Sequence, residues 1–337
     1  MRKKITFITG ANGEMGQGLI KLLHSRGVKN ILAFDLNPIS DDIKGLVAYD
    51  IAGDILNNNL LDKINIEYEI ESIYHLAALL STQSEFSPVL AHQVNVNGTL
   101  NILSLAIRQA KTNGKSIKVF YPSSIAVYSV KSNNMSSISE NENCNPITMY
   151  GCNKLYCENL GIYFAKNFNK LSEDYKPNLI DFRCIRFPGL ISAYTIPTGG
   201  TSDYLPEMLH SAIKKQPYKC FVERNTKMPF MVMPDAISAI CNLMNTDITN
   251  LSANVYNVTA FNPSPNKFYK YLKQYIPSFQ ITYDINSKRQ EMVDSWPSNV
   301  DDSRASNDWG WQPEFNLKKA FKEYLIPSLN TYYDTKD

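Results

Sequence analysis

No apolar run in this chain approaches the ~20 residues needed to cross a bilayer, so a membrane protein is not expected. The opening MRKKITFITG has a basic tip, but its apolar run is only ITFI. That is shorter than the ~7–15 residues of a secretory core. The stretch reads as a first β-strand, no leader is visible, and a cytoplasmic location is expected. An excess of one charge is also missing: 34 Lys and Arg against 32 Asp and Glu leave +2. Nothing in that balance calls for nucleic acid or an anionic membrane. Cysteines are few and scattered, at Cys144, Cys152, Cys157, Cys184, Cys220 and Cys241, which argues against a disulfide framework. The four histidines show no H-E-x-x-H or related pattern, and no metal site is expected. His75 ends an apolar strand in SIYHLAA and reads as a packed strand-end residue.

What is present is alternation. A chain of 337 residues, 44% hydrophobic, has room for one large α/β domain with a smaller lobe. KKITFIT, NILAFDL, GLVAYDI, ESIYHLAA, SIKVFYPSS and PNLIDFRCIRF are apolar strands. The stretches between them include EMGQGLIKLLHSRG and a long helix entered at Pro88, both with helical periodicity. Continuous apolar strands separated by helices imply a Rossmann-type, doubly wound parallel sheet covered on both faces. After about residue 190 the pattern changes to FPGLISAYTIPTGGTSDY and shorter elements. The expected division is a Rossmann domain over 1–190, with some later segments returning to it, and mainly a substrate-binding lobe over 191–337. ILNNNL and KSNNM read as loops, and no internal repeat is visible.

The first turn, TGANGEMG, sets Gly10, Gly13 and Gly16 in a G-x-x-G-x-x-G pattern between a strand and a helix. Glycine lets a pyrophosphate approach the backbone, and the helix N-terminal amides hold its charge. Dinucleotide binding is expected, with Asn12, Glu14 and Met15 of the same turn as candidate contacts. Asp35 ends the second strand, 19 residues after Gly16. Its carboxylate can accept ribose hydroxyls and would repel a 2′-phosphate, and the following LNP offers no arginine, so NAD is favoured over NADP. Asp50 and Ile51, at the end of the third strand, could hold the adenine or could be a simple strand-end turn.

In MYGCNKLYCENL, Tyr150 and Lys154 lie four residues apart, on one face of a helix. Alone, the pair is ordinary amphipathic surface. Together with TGANGEMG, HLAA, NVNGT and PSSIAVY, its order and spacing resemble the extended short-chain dehydrogenase/reductase family over nearly the whole chain. RFPGLISAYTIPTGGTSDY, MPFMVMPDAI and DSWPSNVDDSRASNDWGW narrow the resemblance to that family's L-threonine 3-dehydrogenase branch. Two departures are modest: Ser124 stands where threonine is frequent, and Ser129 follows Tyr128 where glycine is usual.

The resemblance implies oxidation of the β-hydroxyl of L-threonine by NAD to 2-amino-3-oxobutyrate, which passes on to glycine or to aminoacetone. Tyr150 would be the base. A lysine ammonium nearby favours phenolate, and Lys154 would also bond the nicotinamide ribose. Ser124 would bond the substrate oxygen, with Ser123 as the neighbouring alternative. Leu76, Ala77, Ala78, Asn95, Phe187 and Pro188 would border the cofactor, Asn95 chiefly as a brace. Ser81, Gly200, Thr201 and Ser202 would contact substrate. Asp203 either faces the substrate ammonium or N-caps the following helix, and Trp296 either closes over the site or anchors the small lobe. Two other readings compete. One is a nucleotide-sugar epimerase or dehydratase, for which Arg224, Lys227, Arg289 and Arg304 could serve a diphosphate. The other is a non-enzymatic NAD-binding redox sensor, which would not need Ser124, Tyr150 and Lys154 together. Tyr156 and Tyr163, turned away from the Tyr150 face, suggest with the helix after Pro88 a homodimer through a four-helix contact.

Overall fold

The structure is a computed structural model that describes residues 2–130, 137–197 and 199–334; the KSNNM loop lies outside them. The first strand, β1 (Lys3–Thr9), is buried without interruption from Ile5 to Thr9. A strand without an exposed side must be covered on both faces, as parallel sheets are. Next come β2 (Ile31–Asp35), β3 (Tyr49–Ala52), β4 (Tyr68–His75), β5 (Ile117–Ser124) and β6 (Ile180–Phe187), then β7 (Gly189–Ile191), β8 (Tyr218–Cys220), β9 (Phe230–Val232), β10 (Val255–Asn257) and β11 (Ile281–Tyr283).

Seven of these form one parallel sheet in the order β3-β2-β1-β4-β5-β6-β10. Six were legible as apolar runs. The seventh, β10, returns from the later part of the chain to lie beside β6, with Val255 opposite Cys184. Three residues carry too little periodicity to announce a strand. The strand order reverses between β1 and β4, which opens a crevice at the C-terminal edge of the sheet.

One face of the sheet is packed by the helices Glu14–Ser25 and Met233–Asn245 around Ile8, Leu19, Ile237 and Ile240. The other is packed by Gly98–Asn113 and Met149–Lys166 around Phe7, Ile102, Leu103 and Phe182. A third apolar cluster gathers Tyr204, Met208, Phe230, Phe268 and Phe321 from the later segments. Trp296 is buried in that cluster, which gives it the anchoring role. The short pairs β7–β9 and β8–β11 frame this region.

The helix entered at Pro88 is not regular throughout: a π turn over His92–Asn97 interrupts it. The wider turn carries Asn95, buried to 1% exposure, where it bonds to the loop after β4. Such bulges concentrate at functional sites.

Candidate active site

The glycine turn has the geometry that its spacing suggested. Gly10 has φ +69°, and a Cβ there would lie 2.6 Å from the Ala77 amide nitrogen. The turn and the HLAA loop therefore touch backbone to backbone, and Leu76 N donates to Thr9 O (3.1 Å). Gly13 is the N-cap of helix Glu14–Ser25, and no side chain among the described residues caps that helix. First-turn amides without a cap are a ready anion site, so the residues present fit a dinucleotide pyrophosphate.

Asp35 sits beside the turn and accepts from the amides of Asn12 (3.0 Å) and Asn37 (3.2 Å). Asn12 in turn holds the next loop, donating to Pro38 O (2.9 Å) and accepting from Ser40 N (2.9 Å). Asp50 and Ile51 lie one strand over, opposite Ala33 and Phe34. Asp50 is exposed and Ile51 half-buried, so that edge is open where adenine was expected.

Ser124 ends β5 in register with Phe187, which ends β6 just before Pro188. Its hydroxyl accepts from Ala126 N (3.1 Å) and is half-buried. Ser123 points the other way: it is buried, and its hydroxyl has no partner among the described residues. Ser124 is thus the more accessible of the two serines.

The tyrosine helix begins at Met149, capped by Thr148, whose hydroxyl accepts from Gly151 N (3.1 Å). Glu85 reaches the same end and accepts from Met149 N (2.7 Å). A Cβ on Gly151 would collide with Ala126 O and lie 2.8 Å from Pro146 Cβ. Glycine is therefore what lets Tyr150 approach the turn that carries Ser124. A glycine inside a helix costs about 1 kcal/mol relative to alanine. That local oddity beside a tyrosine was the signal that could have singled it out.

Lys154 is buried; its ammonium donates to Pro122 O (2.7 Å) and lies 5.4 Å from the Tyr150 ring centre and 4.6 Å from that of Tyr121. Burial pushes its pKa down to about 8. Burial also pushes the Tyr150 phenol well above its ordinary value. The pair alone therefore leaves the phenol raised, where its spacing suggested a depressed pKa.

Behind them lies a polar chain that the sequence did not reveal. Thr99 Oγ1 donates to Asn95 O (2.6 Å), so it accepts from His75 Nε2 (3.1 Å). His75 Nδ1 then accepts from Thr9 Oγ1 (2.8 Å), which accepts from Ala77 N (3.4 Å). Asn95 holds Leu79 through both its backbone groups (2.8 and 3.1 Å) and donates to Asn153 of the tyrosine helix (3.3 Å). The bracing role expected of Asn95 is what its contacts do. Burial, then the Lys154 cation, push the His75 pKa down to about 3, so this imidazole is neutral.

Ser81 opens a short helix after the HLAA loop. Its neighbour Thr82 donates to Gly199 O (3.2 Å), which joins the Ser81 segment to the GGTSDY loop. Thr201 is buried, and Gly200 and Ser202 are half-buried. Asp203 occupies the N-cap position of helix Tyr204–Ile213, yet its side chain makes no cap bond. The carboxylate turns back to accept from Gly200 N (2.6 Å). Arg289 donates to the carbonyls of Gly199 and Gly200 and packs its guanidinium over Phe221. Its contribution to this loop was not foreseen.

The sequence profile of the NAD dependent epimerase/dehydratase family matches residues 6–259. The chain belongs to this family. It is an NAD-dependent oxidoreductase of the extended short-chain dehydrogenase/reductase type. The mitochondrial L-threonine 3-dehydrogenase of Sus scrofa is 34% identical over 321 residues, 94% of this chain and 81% of that protein. The L-threonine dehydrogenase structure from Clostridium difficile has a TM-score of 0.84 at 32% identity, covering 99% of this chain and 98% of its own. A monomeric L-threonine 3-dehydrogenase from a metagenome, in its apo form, gives 0.83 at 34% identity, with 97% and 99% covered.

Proposed function

We propose that the chain oxidises the β-hydroxyl of L-threonine to 2-amino-3-oxobutyrate. One observation carries this reading: the Ser124–Tyr150–Lys154 set shares the sheet's C-terminal edge with the glycine turn, next to the joined Ser81 and Gly199–Asp203 segments. NAD, when bound, supplies the hydride acceptor. Gly10, Asn12, Gly13, Glu14, Met15 and Gly16 line its pyrophosphate, Asp35 its adenosine ribose, Asp50 and Ile51 its adenine. Leu76–Ala78, Asn95, Phe187 and Pro188 border the remainder.

Ser124 donates its hydroxyl proton to the substrate oxygen and holds the alcohol beside Tyr150. Tyr150 Oη takes the hydroxyl proton as the β-carbon gives up its hydride. Lys154 would bond the nicotinamide ribose and, together with the positive charge that the oxidised cofactor supplies, would offset the burial that raises the phenol. Ser81, Gly200, Thr201 and Ser202 bind the amino-acid end through hydroxyls and amides. Asp203, committed on one oxygen to Gly200, offers its other to the ammonium. Residues 1–190 with the returning β10 bind cofactor, and most of 191–337 binds substrate.

The NADH absorbance band gives the test. No signal with L-threonine, alongside turnover of another alcohol, would remove the substrate assignment. Asp35→Ala is expected to weaken NAD binding, and unchanged affinity would displace the ribose contact. The sugar-nucleotide alternative is weakened because Arg289 is spent on the Gly199–Gly200 loop and Arg304 pairs with Glu140 (3.5 Å).

Exposed Phe86, Val89, Leu90, Leu100, Tyr156 and Tyr163 on neighbouring helices support a homodimer; sedimentation as a monomer at micromolar concentration would refute it. No helix among the described residues is long and apolar enough to cross a membrane. A cytoplasmic location is part of the proposal, and cell fractionation decides it.

A further inference from the structure

Glu14 is the first residue of the uncapped helix at the glycine turn, so an acidic residue opens the helix whose amides are proposed to hold a dianionic pyrophosphate. Its side chain does not escape into water. It turns toward Ser192 and Thr195, on the loop that follows β7, and its Oε1 is buried without a hydrogen-bond partner among the described residues. Among the described residues, the titratable groups of the elements packed around it bring no compensating cation. Tyr324 and Tyr194 are phenols, and the Tyr324 pKa is pushed up to about 12. His210 faces the same Ser192 and Thr195 from helix Tyr204–Ile213 and is pushed down to about 4, so it is neutral near pH 7. Burial alone already raises the Glu14 carboxyl, with the two hydroxyls opposing.

We propose that Glu14 is a proton-linked positioning residue, whose carboxyl takes up one proton from solvent as NAD binds and is neutral in the complex. Two negative charges seated on the helix amides disfavour the ionised acid further. The neutral carboxyl can then donate where the carboxylate could only accept, tying the cofactor helix to the loop that leads into GGTSDY. By linkage, NAD affinity falls as pH rises through the window between the free and bound pKa values, by at most about tenfold per pH unit.

This inference rests on the NAD site and not on the L-threonine assignment, so the experiment leaves L-threonine out. NAD is titrated calorimetrically into the full chain from about pH 5 to pH 9, in buffers of differing ionisation heat. The wild type is expected to take up close to one proton per NAD within the window. Glu14→Gln keeps the shape and hydrogen bonding but cannot titrate. It should bind NAD without proton uptake, with a flat pH profile, and more tightly than the wild type at the alkaline end. Matching profiles for the two proteins, or no proton uptake by the wild type at any pH, would overturn the proposal. Failure of NAD to bind at every pH would overturn the cofactor assignment, and this proposal with it.

Discussion

Replacing Lys154 by methionine should push activity and stability in opposite directions. The ammonium lies 5.4 Å from the Tyr150 ring centre and the residue is 2% exposed. At an effective dielectric of ~20, a unit charge at that separation stabilises a phenolate by roughly 3 kcal/mol, about a hundredfold in phenolate fraction. Lys154→Met should therefore lower kcat about a hundredfold at neutral pH and move the rise of the pH–rate profile to more alkaline values.

The sign for stability is the reverse. The folded pKa, about 8, lies below the ordinary lysine value of 10.5, so between those values the unfolded chain binds more protons. Stability then rises with pH through that window, and below about pH 8 the protein bears the whole cost of the buried charge, up to about 3 kcal/mol. Methionine fills similar space without that charge, so the variant should gain up to that amount in urea melts near neutral pH. The loss of the bond to Pro122 O offsets part of the gain. A variant that keeps wild-type kcat at neutral pH, or is less stable there, would refute the reasoning.

Three further outcomes are expected. Gly151→Ala, by driving a methyl against Ala126 O, should displace Tyr150 from Ser124 and cut kcat by roughly tenfold or more; NAD affinity, read by fluorescence titration, should change far less. Glu158→Gln strips the counter-charge from buried Arg186, to which Glu158 is bonded at 2.8 and 2.6 Å. Urea unfolding should show a loss of about 3–5 kcal/mol. His75 is neutral in the fold but protonates in the unfolded chain below its ordinary 6.5. Stability should thus fall as pH drops from 6.5 towards about 3, by up to ~4–5 kcal/mol from this group, and His75→Gln should flatten that part of the acid melt.

Much of the cofactor half was legible because its signals are short. β1, the glycine turn and the helix after it occupy consecutive residues, and each is specified by its own neighbours: uninterrupted apolar side chains, positive φ at Gly10, and 3.6-residue periodicity. Asp35 follows from strand and helix lengths. The substrate half was harder to read. β10 is three residues long and gains its meaning only beside β6. Asp203, left open between the substrate ammonium and a helix cap, sits at the N-cap position, but Gly200 N draws its carboxylate back. Arg289 was a candidate for phosphate until the fold laid it against Gly199 and Gly200, ninety residues away in sequence at the farther one.

Periodicity and spacing were enough to set the parallel sheet, the dinucleotide turn and the shared face of Tyr150 and Lys154, because these depend on backbone geometry over a few residues. Only the folded chain decided which serine is accessible, which glycine admits the tyrosine helix, how His75 and Asn95 are wired, and which way the Tyr150 phenol is pushed. Those depend on burial and on partners brought together from distant segments, and neither burial nor partnership is written in any one stretch of sequence.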